Sequence, residues 1–160
     1  MSIEAVRGYF RSLGAEDRIL EFQESSATVE LAARAVGCEP ARIAKTLSFK
    51  VGEDPILIVA AGDAKIDNRK YKDTFGKKAV MLTPEEVLER IGHAVGGVCP
   101  FGVPETVKVY LDESLKRFET VFPAAGSANS AVELNLEELA RYSRAAGWAD
   151  VCKGWQETKE

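Results

Sequence analysis

One histidine, His93, and three cysteines, Cys38, Cys99 and Cys152, set the limits on nucleophilic chemistry in this chain of 160 residues. Any Ser-His-Asp or Cys-His arrangement has to run through His93. Cys99 follows on the same stretch, so a thiol pair is conceivable, although no local motif supports one. Cys38 and Cys152 have no partner at ligand spacing. The absence of CxxC and HExxH argues against a zinc site. There is no Walker A motif and no GxGxxG, so the parts of a nucleotide hydrolase or a dehydrogenase are missing and no cofactor is expected.

Three other features could carry chemistry. The stretch from Gly92 to Gly102 contains four glycines and Pro100. Such a loop can aim successive N–H groups at a carbonyl oxygen, as an oxyanion hole does, or it can be an ordinary connector. Lys45 sits between apolar neighbours in Ile43-Ala44-Lys45-Thr46-Leu47, at an expected helix-to-strand junction. It could reach into a pocket; taken alone it reads as a snorkelling surface lysine. Third, the apolar run Ile56–Ala61 opens into Gly62-Asp63-Ala64-Lys65, and loops after buried strands often carry function.

The elements that must position these residues follow from periodicity. Ile3, Val6, Phe10 and Leu13 recur at helical spacing. Residues 18–22 read as a strand, and Ser26 or Thr28 caps a helix that Gly37 ends. Pro40 starts a third helix running to Lys45. Residues 46–51 and 56–61 form a hairpin about Gly52-Glu53-Asp54. A helix follows over 68–75 and a strand over 78–82. Thr83/Glu86 and Asn135/Glu138 are capping boxes, opening helices to about Arg90 and Tyr142. Strands are expected at 106–111, 120–122 and 131–134, with a short helix over 113–118. The fold class is α+β: one domain over 1–160, with a central mixed, largely antiparallel sheet or partly closed barrel flanked by helices.

Apolar residues make up 46% and charged residues 29%, an ordinary globular balance. Ile56–Ala61 is too short to span a membrane, and MSIEAVRGYF has no apolar signal region. The odd, unpaired cysteine count fits a reducing compartment, so a cytoplasmic location with no membrane partner is expected. A net charge of −4 argues at first against nucleic acid. However, KIDNRKYKDTFGKK at 65–78 carries +4 and the remainder −8. A local patch can meet phosphate on an acidic protein, because charges beyond a Debye length of roughly 8 Å count for little. A solvated helical face is the plain alternative.

Together, Ala44-Lys45-Thr46-Leu47, Ala61-Gly62-Asp63 with Asp67-Asn68-Arg69-Lys70, and Gly96-Gly97-Val98-Cys99-Pro100-Phe101-Gly102 resemble the YbaK/prolyl-tRNA synthetase-associated family, also called the prolyl-tRNA synthetase insertion family. The last stretch contains that family's GxxxP motif, here Gly96 and Pro100. The resemblance implies a free-standing editing domain. Such a domain hydrolyses the ester of mischarged aminoacyl-tRNA bearing Ala, Cys, Ser or Thr. The resemblance implies that Lys45 holds the aminoacyl-adenosine end. Gly96 and Gly97 N–H groups would stabilise the carbonyl oxygen. Phe22, Thr46, Gly62, Asp63, His93, Val98, Pro100 and Ala131 are the expected substrate contacts. Lys65, Arg69, Lys70 and Lys72 are expected to meet tRNA.

The implied partners are the acceptor end of tRNA and an aminoacyl-tRNA synthetase, not DNA. The alternative is a non-catalytic tRNA-binding or synthetase-associated module. Cysteine-specific members carry an acid where Ala131 stands before Val132-Glu133-Leu134, and some members carry Tyr where Phe22 stands. The expected side chain is therefore small and apolar, such as alanine.

Overall fold

The structure is a computed structural model that describes residues 2–93 and 97–155. Its centre is the antiparallel hairpin of β2 (Ile43–Val51) and β3 (Asp54–Ala61), turned by Gly52 at φ +63°. Side chains of β3 from Leu57 to Ala61 have no exposed surface, which explains the unbroken apolar run: both faces of this strand are covered. β5 (Lys108–Asp112) lies parallel to β3, and β9 (Gly147–Ala149) lies parallel to β5. On the other side, β6 (Thr120–Pro123) runs parallel to β2, and β8 (Leu134–Asn135) pairs antiparallel with β6. The result is a curled, mixed, six-stranded sheet in an α+β fold.

Two short antiparallel pairs complete the strands. β1 (Ile19–Glu21) pairs with β7 (Ser130–Val132), and β4 (Lys65–Ile66) pairs with β10 (Cys152–Lys153). The helix α1 (Ser2–Ser12) docks through Val6 and Phe10, whose ring meets Phe101 and Tyr142 edge-on at 5.1 and 5.5 Å. The next two helices are α2 (Val29–Val36), capped by Thr28, and α3 (Asn68–Phe75), capped by Asp67. α3 buries Tyr71 against Phe49. Both expected capping boxes form, opening α4 (Pro84–Glu86) and α5 (Leu136–Tyr142). No helix among the described residues is long and apolar enough to cross a membrane.

Several expectations need correction. Pro40 starts only a single turn, Pro40–Arg42, and β2 begins at Ile43. Ile43 and Ala44 are already paired with Phe122 and Pro123 of β6, so the ladder overrides the local helix signal. Lys45 therefore lies inside a strand. Residues 78–82 are extended but make one isolated bridge, Met81 to Phe49. The helix begun at Thr83 widens to π-type turns over Val87–Ile91 and stops at Gly92, φ +93°. The strand expected over 131–134 breaks at Glu133. Its first half pairs with β1 and its second with β6, so one extended stretch serves two sheets.

Candidate functional site

The edge of β2 opens into a cavity of about 360 Å³. Its walls come from the start of α2, from Met81 to Val87, from Val98, and from Phe122 to Ala131. Most of the lining is apolar and small, including Ala27, Ala32, Ala44 and Ala131. Among the described residues, Lys45 is the one charged side chain in the wall.

Lys45 Nζ donates to the main-chain carbonyl of Gly62 at 3.3 Å, and no carboxylate pairs with it among the described residues. Burial is the largest influence and lowers its pKa below the ordinary lysine value, with Asp63 and Glu30 opposing and Lys65 adding to the shift. The folded state binds the proton less tightly than the unfolded chain, so burial of the charge destabilises the fold at neutral pH. That cost is relieved as pH rises from the lowered value toward the ordinary one. Lys45→Met should therefore raise Tm at neutral pH, and its advantage over the parent should shrink in alkaline buffer. A constant difference in Tm across pH would contradict this account of the lysine.

The turn that receives Lys45 is tightly built. A Cβ on Gly62 would lie 2.1 Å from the carbonyl oxygen of Pro40 and 2.8 Å from Val29 Cγ1. The neighbouring Asp63 is not in the cavity wall; Arg117 holds both its oxygens, at 2.6 and 3.0 Å. Arg117 also lies over the rings of Phe118 and Trp155. Asp63 thus braces the turn.

The other expected residues divide. Thr46, Val98 and Ala131 line the cavity with Lys45. Gly97 packs so closely on the loop at Ser127 that a Cβ would meet its backbone at 2.7 to 2.9 Å. Gly96 lies outside the described residues. Phe22 is outside the lining and is tied by main-chain and side-chain bonds to Asn129. Pro100 lines a separate cavity of about 370 Å³ with Tyr9, Tyr142 and Arg144.

His93 is buried away from the cavity, and its Nε2 lies 2.9 Å from the carbonyl of Phe101. That nitrogen must carry the proton it donates, so it cannot take one from the Cys99 thiol 3.6 Å away. Burial also pushes the Cys99 thiol up to about 12, leaving it protonated. The conceivable thiol pair is therefore in contact but inert. Among the described residues no three His, Cys, Asp or Glu side chains gather as metal ligands.

In the basic segment, Lys65, Arg69 and Lys72 are exposed. Lys70 is instead spent on structure, donating to Asp150 at 3.1 Å and to the carbonyl of Cys152 at 3.0 Å. The sequence reading missed Arg117, whose partner is 54 residues away, and the cavity walls at Ser26–Val29 and Met81–Val87. The run Ser25-Ser26-Ala27-Thr28 offered a helix cap and nothing to mark it as a wall.

The cavity also meets a gap in the sheet. Leu82 N–H donates to Ser48 O and Lys50 N–H to Val80 O, while on the partner strand Ala61 N–H donates outward to Ser114 Oγ. Antiparallel ladders alternate, so the even-numbered residues of β2 direct their main-chain groups away from β3. β6 covers that edge only at Ile43 and Ala44, and the 80–82 segment covers it from Ser48 onward. Thr46 lies between them, and its Oγ1 is buried without a partner.

Comparison with known proteins places these features. Residues 23–142 match the family model of the aminoacyl-tRNA editing domain. A Bacillus subtilis protein, uncharacterized protein YwhH, is 57% identical over 157 residues, covering 98% of this chain and 100% of that one. The proline–tRNA ligase of Thermosipho melanesiensis is 28% identical over 137 residues, 85% of this chain but 24% of the ligase. A solved structure described as a candidate trans-editing enzyme for prolyl tRNA synthetase superposes with a TM-score of 0.86 at 32% identity, covering 96% of this chain and 98% of that one. This chain belongs to the aminoacyl-tRNA editing domain family.

Proposed function

We propose that the protein is an aminoacyl-tRNA deacylase that removes a small amino acid from the 3′ end of a mischarged tRNA. The observation that carries this is Lys45, a desolvated cation with no acidic partner among the described residues, in the wall of a small and mostly apolar cavity. Such a charge suits an anionic or electron-rich ligand, here the terminal adenosine and its phosphate. Membership of an aminoacyl-tRNA editing domain family supports that choice of ligand.

An aminoacyl ester is already activated, so positioning and charge stabilisation can suffice without a protein base. Water attacks the ester carbon while N–H groups of the Gly96–Gly97 stretch hold the developing oxyanion. The bond to the ribose oxygen then breaks, and the proton of the attacking water passes to that oxygen, guided by the neighbouring ribose hydroxyl. The cavity's small, mostly apolar lining fits a small side chain such as alanine, and among the described residues no acid or histidine stands in the wall to favour a thiol or hydroxyl strongly.

The test is a deacylation screen over tRNAs carrying alanine, serine, threonine and cysteine, with Lys45→Ala as control. Turnover of the alanyl ester supports the reading. Binding of tRNA without turnover would favour a non-catalytic module, which would then serve a synthetase.

For tRNA approach, Lys65, Arg69 and Lys72 are the exposed candidates. Neutralising all three should raise KM several-fold and flatten its dependence on salt, leaving kcat unchanged. Lys70→Ala should instead lower Tm, through loss of its bonds to Asp150 and Cys152. A salt dependence unchanged in the triple variant would remove the patch from substrate binding.

A further inference from the structure

We infer that the aminoacyl group docks on the open edge of β2 as a one-residue strand, with its α-amine donating to the carbonyl of Thr46 and the N–H of Thr46 donating to its carbonyl oxygen. This rests on the deacylase reading and adds a recognition element to it. In a hydrogen-bonded antiparallel pair, two residues facing each other exchange both N–H···O bonds. An aminoacyl ester carries the same donor and acceptor on either side of one Cα, so it presents half of such a pair.

Among the described residues the edge is open at Thr46. β6 leaves after Ala44 pairs with Pro123, and Leu82 closes the edge again at Ser48. The main-chain N–H and C=O of Thr46 face that gap, in the wall of the 360 Å³ cavity. Buried main-chain groups are nearly always paired, so a gap of this kind inside a cavity is where a ligand supplies the partner. The Thr46 hydroxyl, buried and without a partner, stands at the same point.

Charge sharpens the argument. Among the described residues, the one charged side chain lining the cavity is Lys45, a cation that opposes an ammonium group, and no acid offsets it there. A preference for substrates bearing the α-amine must therefore come from neutral acceptors. Among the main-chain groups the strand edge offers one at Thr46. Of the hydroxyls, Ser26 donates to the carbonyl of Ala128 and Ser130 to that of Ser127, and Thr28 accepts from Leu31 N–H, so each keeps an acceptor lone pair but is held to a partner away from the gap. Thr46 and Ser48 stand at the gap itself, and both hydroxyls can be removed by substitution without touching the main chain.

The same N–H would be a further oxyanion donor. As the ester carbon becomes tetrahedral, its oxygen gains negative charge and draws closer to a donor fixed in a strand. A donor held by a ladder needs no reorganisation at that moment. Thr46 thereby joins Gly97 in the chemistry through its backbone, and its side chain is not required for that role.

Two non-hydrolysable probes test this: 3′-deoxy-3′-(L-alanylamino)adenosine and its 3′-propionylamino counterpart, which differ only by the α-amine. Their affinities are measured by calorimetry on the parent and on the double variant Thr46→Val, Ser48→Ala. The alanyl probe should bind at least about 10-fold tighter to both proteins, a ratio in the range expected of a charge-assisted hydrogen bond. The amide proton of Thr46 should move downfield in NMR spectra with either probe.

Equal affinity of the two probes, with deacylation of alanyl-tRNA intact, overturns the edge assignment alone. Loss of the preference in the double variant overturns it too, by assigning the amine to a hydroxyl. A Thr46 amide that does not move also overturns it. Failure of both probes to bind, together with absent deacylation, overturns the edge assignment along with the deacylase reading on which it rests.

Discussion

Lys45→Ala is expected to lower kcat/KM for deacylation by ~10²–10³, the scale of losing one preorganised charge-stabilising group. The fold should survive the change. Lys45 makes one side-chain hydrogen bond, to a carbonyl, and no ion pair among the described residues. Its ladder pairing with Ala60 is a main-chain matter and is retained by alanine. Loss of rate with unchanged or higher Tm would assign the lysine to substrate rather than to structure. Lys45→Arg separates charge from shape: a guanidinium keeps the charge, but it is larger and planar and cannot take the single position on Gly62 O that the ammonium occupies. It should recover little of the rate. Deacylation at the parental rate by Lys45→Ala would remove the lysine from the mechanism.

The second large effect is expected at Gly62. A Cβ there would sit 2.1 Å from the Pro40 carbonyl oxygen, a backbone atom that cannot rotate aside. Gly62→Ala must therefore shift the single turn at Pro40–Arg42 or the loop itself. The expected cost is about 3 kcal/mol or more, at the upper end of overpacking. In a domain of this size that lowers Tm by roughly 6–12 °C. The carbonyl that receives Lys45 belongs to the same residue, so activity should fall even in protein that remains folded. Gly8→Ala is the control. Gly8 lies within α1 with nothing near its missing Cβ, and alanine there should stabilise by about 0.5–1 kcal/mol. A Gly62→Ala protein as stable as its parent would mean that the contact with Pro40 is easily relaxed.

What was legible in the sequence was local. The hairpin follows from two apolar runs around Gly52, and both capping boxes from residues three apart. The closeness of Lys45 to Gly62 follows from the hairpin register, which sets Ala44 opposite Ala61. What was hidden depends on partners far along the chain. The helix signal at Pro40 lost to a pairing with β6, about 80 residues later. The pairing of Asp63 with Arg117 was hidden because Arg117 lies 54 residues away and carries no sequence mark. His93 stood beside the glycine-rich stretch, and nothing in the sequence marks its bond to the carbonyl of Phe101, outside the cavity wall. The gap at Thr46 is the clearest case. It exists because two unrelated segments stop short of each other on one strand edge, and nothing at Thr46 itself records that.

The break at Glu133 has a consequence for how the chain reaches its native state. Residues 130–135 must join β1 on one side and β6 on the other, with pairings that reach back to Ile19. The β2–β3 hairpin, by contrast, closes through a two-residue turn. Short-range pairings form before long-range ones, because the loss of chain freedom on closure is smaller. The strand bearing Lys45 and Thr46 is thus set early, while the stretch bearing Ser130 and Ala131 arrives late, from the far end of the chain. The cavity is completed by long-range contacts, so during synthesis on the ribosome its wall at Ser130 and Ala131 stays open until residue 131 has emerged.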